Sequence, residues 1–469
     1  MTTISRTDFV QSIRDALQFI SYYHPKDYIQ ALALAYEQEK STPAKDAMAQ
    51  ILVNSRMCAQ GHRPICQDTG IAVLFLKIGM EVQWDTKGDT EGDTEGDTKG
   101  LSIEDMVNEG VRQAYTDPDN PLRASILEDP AGARKNTKDN TPAVVHMRLV
   151  PGNKVEVSVA AKGGGSENKA KFAMLNPSNS VVEWVLKTVP TMGAGWCPPG
   201  IIGIGIGGTP EKAMLMAKES LMAPINMHEI RTQGPANKTE ALRLELCDKI
   251  NALGIGAQGL GGVTTVLDVK ILDYPTHAAS LPIAMIPNCA ATRHIEFTLD
   301  GSGPAIFEPP SLKDWPEVTW EAGVGAMRIN LDAMDKTQIA SWQPGDRLLL
   351  SGKLLTGRDA AHKRIVDLLA KGEPLPKGVD LKNRFIYYVG PVDPVRDEVV
   401  GPAGPTTATR MDQFTRILLA ETGLIGMVGK AERGDAAIAA IKEFNAVYLI
   451  AVGGAAYLVA KAIRSSRVI

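Results

Sequence analysis

The chain has 469 residues, more than one hydrophobic core of ordinary size organises, so two or three domains are expected. Hydrophobic residues make up 44%, charged residues 22%, and the net charge is −4, without the basic excess of a nucleic-acid binder or a polybasic membrane binder. The N-terminal residues mix Asp with Arg and no run approaches eighteen apolar residues, so neither a leader peptide nor a membrane span is expected. Five cysteines, odd in number and far apart, do not suggest a disulfide framework and place the chain in the cytoplasm.

Taken in chain order, "MTTISRTDFVQSIRDALQFISYYH" reads as a capped amphipathic helix, and the helical pattern continues to about Gly61. Strands and helices then alternate, as in α/β proteins. "IAVLFLKIGMEVQW" (Ile71 to Trp84) is strand-like, and "KVEVSVAAKGGGSENK" is a strand running into a glycine loop. Between them, Lys87 to Gly100 repeats Gly-Asp-Thr-x with nothing apolar to bury. Its acidic residues do not make a calcium loop, because Gly92 breaks the EF-hand order from Asp89 to Asp93, and a solvated loop is expected. "GIIGIGIGG" is followed by a helix with Thr209 as N-cap and Pro210 in its first turn. The proline-rich stretch Gly301 to Trp320 marks a boundary. Beyond it, "DRLLLSGKLLTG" reads as a strand pair, "RDAAHKRIVDLLAKG" as a helix and "RFIYYVGPV" as a strand. Helices around Met411 to Ala420 and Ala437 to Phe444, the strand "AVYLIAVGG" and the helix "AAYLVAKAIRSS" complete the chain. The reading is α/β in two domains, residues 1–300 and 326–469, joined by a linker at 301–325.

Cys58 and Cys247 sit on helical patterns ended by Gly61 and Gly254 and read as buried core residues. Cys66 in "PICQDTG", Cys197 in "GAGWCPPGIIG" and Cys289 in "MIPNCAATRH" lie in turn-forming contexts where a side chain can face a cleft. No pair has the C-x-x-C spacing that makes a metal site specific. Pro and Gly fix the backbone beside each thiol, and three thiolates leave one metal position open, as Lewis-acid catalysis requires. Both the structural and the metal-binding reading stand on these residues alone. "GIGIGG" (Gly203 to Gly208) fits the dinucleotide fingerprint, which keeps an NAD-dependent dehydrogenase as an alternative. "GIGAQG" (Gly254 to Gly259) fits the same pattern but leads into a strand, showing how readily 44 glycines produce it. Thr406, Thr407 and Arg410 stand where a loop becomes a helix, Arg358 stands at another helix start, and His277 lies in a turn. Such places suit an acidic substrate.

Longer strings carry a resemblance. "PICQDTG", "AAKGGGSENKAKFAMLNPS", "TMGAGWCPPG", "NALGIGAQGLGG", "PTHAASLP", "IPNCAATRH", "GKLLTGRDAAHKR", "YYVGPVDPVRDEVVGPAGPTTATRM" and "MVGKAERG" resemble the class I, iron–sulfur fumarate hydratases in their single-chain form, from near the N-terminus to residue 469. The resemblance implies that Cys66, Cys197 and Cys289 hold a [4Fe-4S] cluster whose fourth iron has no protein ligand. It implies that Gln67, Asp68, Arg123, the Gly163–Gly165 loop with Gly164 at its centre, and His277 line the substrate. It further implies that Arg358, Thr406, Thr407, Arg410 and Lys430 close over the substrate from a smaller, swivelling second domain, so that the site lies between the domains of a homodimer.

The implied chemistry is addition of water across the double bond of fumarate to give (S)-malate, with a small dicarboxylate as the only partner besides a second copy. His277, Arg123 and the cluster iron are assigned to one carboxylate end, and Arg358, Arg410 and Lys430 to the other. Asp68 is the preferred group for moving the proton at carbon, with Thr406 as its rival. Tartrate or mesaconate are alternative substrates, since one methyl or hydroxyl changes binding by only a few kcal/mol. Two departures are expected: the Gly-Asp-Thr repeat enlarges a connection, and the chain stops short of its relatives after "SRVI". The second leaves an unpaired edge in the second domain and keeps a cluster-free binding protein as a third reading.

Overall fold

The computed structural model describes residues 1–85, 102–318 and 320–469. The Gly-Asp-Thr repeat lies outside them. Three helices open the chain: α1, Arg6–Tyr22; α2, Lys26–Gln38; and α3, Thr42–Gly61. Ser5 caps α1 by accepting a hydrogen bond from the Asp8 N–H. Phe9, Val10, Ile13, Ala16, Leu17 and Ile20 recur at helical spacing and form the buried face of α1. That face meets the helix Ile103–Tyr115, where Gly110 lets the two backbones approach; a Cβ there would come within 2.7 Å of Ile13 Cβ. The helical pattern ends at Gly61, where His62 turns the chain at φ 48°.

The first domain holds two four-stranded sheets. One has the order His294–Leu299, Val155–Lys162, Ile71–Gly79, Val144–Val150. The other has the order Val266–Tyr274, Gly200–Gly207, Leu281–Asn288, Lys171–Leu175. The dinucleotide reading fails here on geometry. Gly203 and Gly205 lie inside a strand and face the helix Pro210–Ser220, where added Cβ atoms would overlap the carbonyl oxygens of Ala217 and Ala213. These glycines serve close packing of helix on strand and form no phosphate loop.

The proline-rich stretch packs on the first domain: Trp315 is buried beside Ile29 and Ala59, and Trp320 Nε1 donates to Asp46 at 3.0 Å. After it, a parallel pair Met327–Asn330 and Leu348–Ser351 precedes a parallel sheet in the order Leu355–Thr356, Phe385–Tyr387, Gly426–Gly429, Val447–Ile450. The expected strand pair within "DRLLLSGKLLTG" is thus corrected, since its two strands join different sheets. Gly352, at φ 103°, turns the chain between them. The last helix, Ala456–Ala462, is also shorter than its sequence pattern, and the residues after it are not helical. The edge strand Val447–Ile450 pairs on one side with Gly426–Gly429 and borders a groove of about 1390 Å³ that Trp342, Leu449 and Val459 help to line. The whole is a two-domain α/β protein. Arg63, fully buried, fastens the two parts through Glu398 at 3.0 Å and the Asp393 carbonyl at 2.7 Å. Among the described residues no helix is long and apolar enough to cross a membrane.

Candidate active site

Strand pairing brings the three loop cysteines to one place. Gly200–Gly207 and Leu281–Asn288 run antiparallel with Ile201 opposite Asn288, so Cys197, just before one strand, and Cys289, just after the other, share one end of the sheet. The Ala290 N–H donates to the Cys197 carbonyl at 2.9 Å and ties the two turns together. In the other sheet Ile71 stands opposite Lys162, which sets Cys66, Gln67 and Asp68 beside the Gly163–Gly165 loop. Lys162 joins the two sheet ends: its Nζ donates to Asn288 Oδ1 at 2.8 Å and to the Pro287 carbonyl at 3.1 Å.

The second domain contributes through the carboxyl ends of its parallel strands, where α/β sheets present their binding groups. Arg358 follows Leu355–Thr356, Gly390 follows Phe385–Tyr387, Lys430 follows Gly426–Gly429 and Gly453 follows Val447–Ile450. Lys430 Nζ donates to Cys197 Sγ at 2.8 Å. A Cβ on Gly165 would sit 3.4 Å from Lys430 Nζ and 3.7 Å from Thr407 Oγ1, so the glycine loop and the second domain touch across the cleft. Thr406 and Thr407 are buried, and Thr407 pairs with Lys430 through the backbone.

Asp68 is held at two points. Its Oδ2 accepts from the Gly164 N–H at 2.8 Å, and its carbonyl accepts from Arg293 Nη1 at 2.6 Å. Oδ1 accepts no hydrogen bond among the described residues. Gln67 Nε2 donates to the Pro405 carbonyl at 3.3 Å. Arg123 Nη1 donates to the Gly390 carbonyl at 2.8 Å, and a Cβ on Gly390 would meet Arg358 Nε at 2.9 Å and Arg123 Nη2 at 3.1 Å. Burial lowers the Arg123 guanidinium from its ordinary range, the Asp68 carboxylate opposes the shift, and Arg410 adds to it. Arg410 Nη2 pairs with Asp359 at 2.8 Å while its buried Nε has no partner among the described residues.

The arginines therefore group around Gly390, with Lys430 apart from them on the thiols, which differs from the division read from sequence. His277 is not brought to this cleft within the chain. It is exposed in the turn before Leu281–Asn288, with its Nδ1 accepting from the Ala279 N–H, whereas Cys289 lies at the far end of that strand. Eight residues at about 3.3 Å each separate the ends by about 25 Å.

Burial pushes the Cys66 thiol up to about 11, against the charges of Arg293 and Lys430. Cys197 is raised for the same first reason, again with Lys430 opposing. Burial acts to lower Lys430, but its coupling to Cys197 and Cys66 outweighs burial and raises it. Among the described residues no three His, Cys, Asp or Glu side chains converge tightly enough for a single metal ion. An iron–sulfur cube makes a different demand, since each thiolate takes a separate iron. Three free thiols from three turns, with cationic neighbours, fit such a group; soft thiolates select it, and binding it would release the thiol protons. Cys58 and Cys247 are buried in helices, as expected from sequence.

Four residues escaped the sequence reading. Lys162 and Arg293 lay inside the recognised strings. Gly453 carried no signal beyond its glycine pair. Gln258 lay inside a glycine string read mainly as a false fingerprint, yet at φ 56° its side chain bonds the Pro198 carbonyl at 2.8 Å and the Gly453 N–H at 2.8 Å.

Comparison with known proteins shows which family the chain belongs to. The family description "Fumarate hydratase (Fumerase)" matches residues 10–298, and "Fumarase C-terminus" matches residues 301–469. The class I fumarate hydratases of Escherichia coli K12 are similar over 96% of this chain and 81% of their own length, the anaerobic one at 30% identity and the aerobic one at 32%. A chain named as an L(+)-tartrate dehydratase alpha subunit in Methanocaldococcus jannaschii is 35% identical over 279 residues, 58% of this chain and 90% of its own. With both halves matched and the cysteine turns meeting at one cleft, the chain belongs to the fumarate hydratase family.

Proposed function

We propose that this protein interconverts fumarate and (S)-malate, adding water so that hydrogen goes to one alkene carbon and hydroxyl to the other. The observation that carries the reading is the meeting of three thiol turns, two of them buried, with a lysine and three arginines between two domains. Cys66, Cys197 and Cys289 would hold a [4Fe-4S] cluster, which when bound supplies a Lewis-acidic iron with an open position.

The chain's own residues do the rest. Arg123, Arg358 and Arg410 bind one carboxylate, while Lys430, Thr407, Gln67 and the Gly164 loop face the other. Asp68 moves the proton at carbon: one carboxylate oxygen is fixed by Gly164 and the other accepts no hydrogen bond among the described residues. Thr406 is the weaker candidate, because an unassisted hydroxyl is a poor base at neutral pH and its backbone is already fixed to Tyr388 and Lys430. The domains are read as 1–300 and 326–469 around a linker at 301–325. His277 takes part only if a second copy brings it to the cleft, so the reading carries a homodimer. Five free thiols suit a reducing cytoplasm.

The test is anaerobic reconstitution with iron and sulfide, followed by fumarate, mesaconate and L-tartrate in parallel. Brown protein that forms malate from fumarate fastest supports the reading. Iron-replete protein that prefers tartrate favours the second reading, for which the M. jannaschii relative speaks. Iron-replete protein inert towards all three overturns both.

A further inference from the structure

The Cys197–Cys289 side of the cleft is closed by α2, which brings a polar group no step above uses. Tyr28 is 1% exposed and packs in one cluster with Ala257, Leu267, Ala290 and Val452. Its hydroxyl has no hydrogen-bond partner among the described residues. Ala290, in the same cluster, follows Cys289 and ties its turn to that of Cys197, which places both thiols on the Tyr28 side. A buried hydroxyl left without an acceptor is destabilising. A sulfur atom at the thiol site would supply the missing acceptor.

The ring is held in place by its neighbours. Tyr28 packs against His24 with ring centroids 4.7 Å apart. His24 Nδ1 lies 2.7 Å from Ser55 Oγ, which also accepts from Trp315 Nε1 at 2.8 Å. Tryptophan can only donate, so the serine hydrogen is left for the histidine, and the whole string is fixed without using the Tyr28 hydroxyl.

We propose that Tyr28 donates its hydroxyl hydrogen to a sulfur on the Cys197–Cys289 side of the cluster and so raises the cluster's reduction potential and its resistance to air. The inference rests on the cluster reading above. Tyr28 is a positioning residue for the cofactor and touches no substrate. Hydrogen bonds to sulfur favour the more reduced cluster, so their loss lowers the potential and makes oxidation easier.

The experiment compares reconstituted wild-type protein with Tyr28→Phe, which keeps the ring. Iron and sulfide content should be unchanged, the midpoint potential lower, and bleaching in air roughly 5- to 10-fold faster, the scale of one ordinary hydrogen bond. Equal potential and equal bleaching at equal iron content overturn the proposal. If the variant does not fold, the iron–sulfur stretching bands of the wild type in light and heavy water decide: a deuterium shift supports the bond, and its absence overturns it. A wild-type chain that takes up no iron and sulfide overturns the cluster reading and this inference with it.

Discussion

Lys430 and Cys197 join the two domains at the centre of the cleft, the lysine Nζ donating to the thiol sulfur at 2.8 Å. The lysine stands at the carboxyl end of a parallel strand of the second domain, and the cysteine stands in the turn that enters a strand of the first. Cys197 has φ 58°, a left-handed turn that aims its side chain at the lysine's side of the cleft. One ammonium of the second domain thus answers a thiol of the first.

Lys430→Met keeps the length of the side chain and removes the charge. Fumarate turnover, normalised to bound iron, should fall by about 10²- to 10³-fold, the loss typical of one donor aimed at developing charge. Steady-state kinetics with iron analysis checks it, and turnover within tenfold of wild type would remove Lys430 from the catalytic group.

Gly453→Ala tests the packing behind Cys197. The added Cβ would meet Cys197 Sγ at 2.5 Å and Gln258 Oε1 at 3.0 Å, displacing the thiol and the glutamine that fixes its turn. The protein should remain folded, with second-domain strands intact by hydrogen exchange, while iron content after reconstitution drops by half or more.

Arg358→Gln removes one cation from the group at Gly390. KM for fumarate should rise about 10- to 100-fold, corresponding to the loss of one charged hydrogen bond of about 1.5–3 kcal/mol. A change confined to kcat would place Arg358 away from the carboxylate.

Asp268 is 0% exposed between Arg243 at 3.0 Å and Lys270 at 2.8 Å, and Lys270 also donates to the Pro224 carbonyl. Burial already lowers Lys270, with Asp268 opposing. Asp268→Ala leaves two buried cations unanswered and should cost about 3–5 kcal/mol in urea unfolding.

His362 packs against Tyr388 and Phe414, donates from Nδ1 to the Arg358 carbonyl at 3.0 Å, and has its Nε2 buried without a partner among the described residues. Burial lowers it from 6.5 to about 4, with Asp359 opposing. The folded chain keeps this histidine neutral where the unfolded chain protonates it, so its contribution is present above pH 6.5 and is lost as pH falls towards 4. Stability should decline by up to about 1.4 kcal/mol per pH unit in that window. His362→Asn should flatten that part of the profile in urea melts.

Much was legible in the sequence because it depends on near neighbours. The apolar spacing of Phe9, Ile13, Leu17 and Ile20 gave α1, and the turn residues beside Cys66, Cys197 and Cys289 marked the thiols as loop residues. What depends on distant contacts was not legible. Gly203 and Gly205 look like a phosphate loop until the helix Pro210–Ser220 is laid on them. Leu348–Ser351 and Leu355–Thr356 look like a strand pair until each finds a parallel partner elsewhere. His277 and Cys289 are near in sequence, but the strand between them carries them apart, while Lys430 and Cys197, 233 residues apart, are brought into contact. Local spacing determined which residues could carry the chemistry; strand register and the docking of one sheet end on another decided which of them share a site.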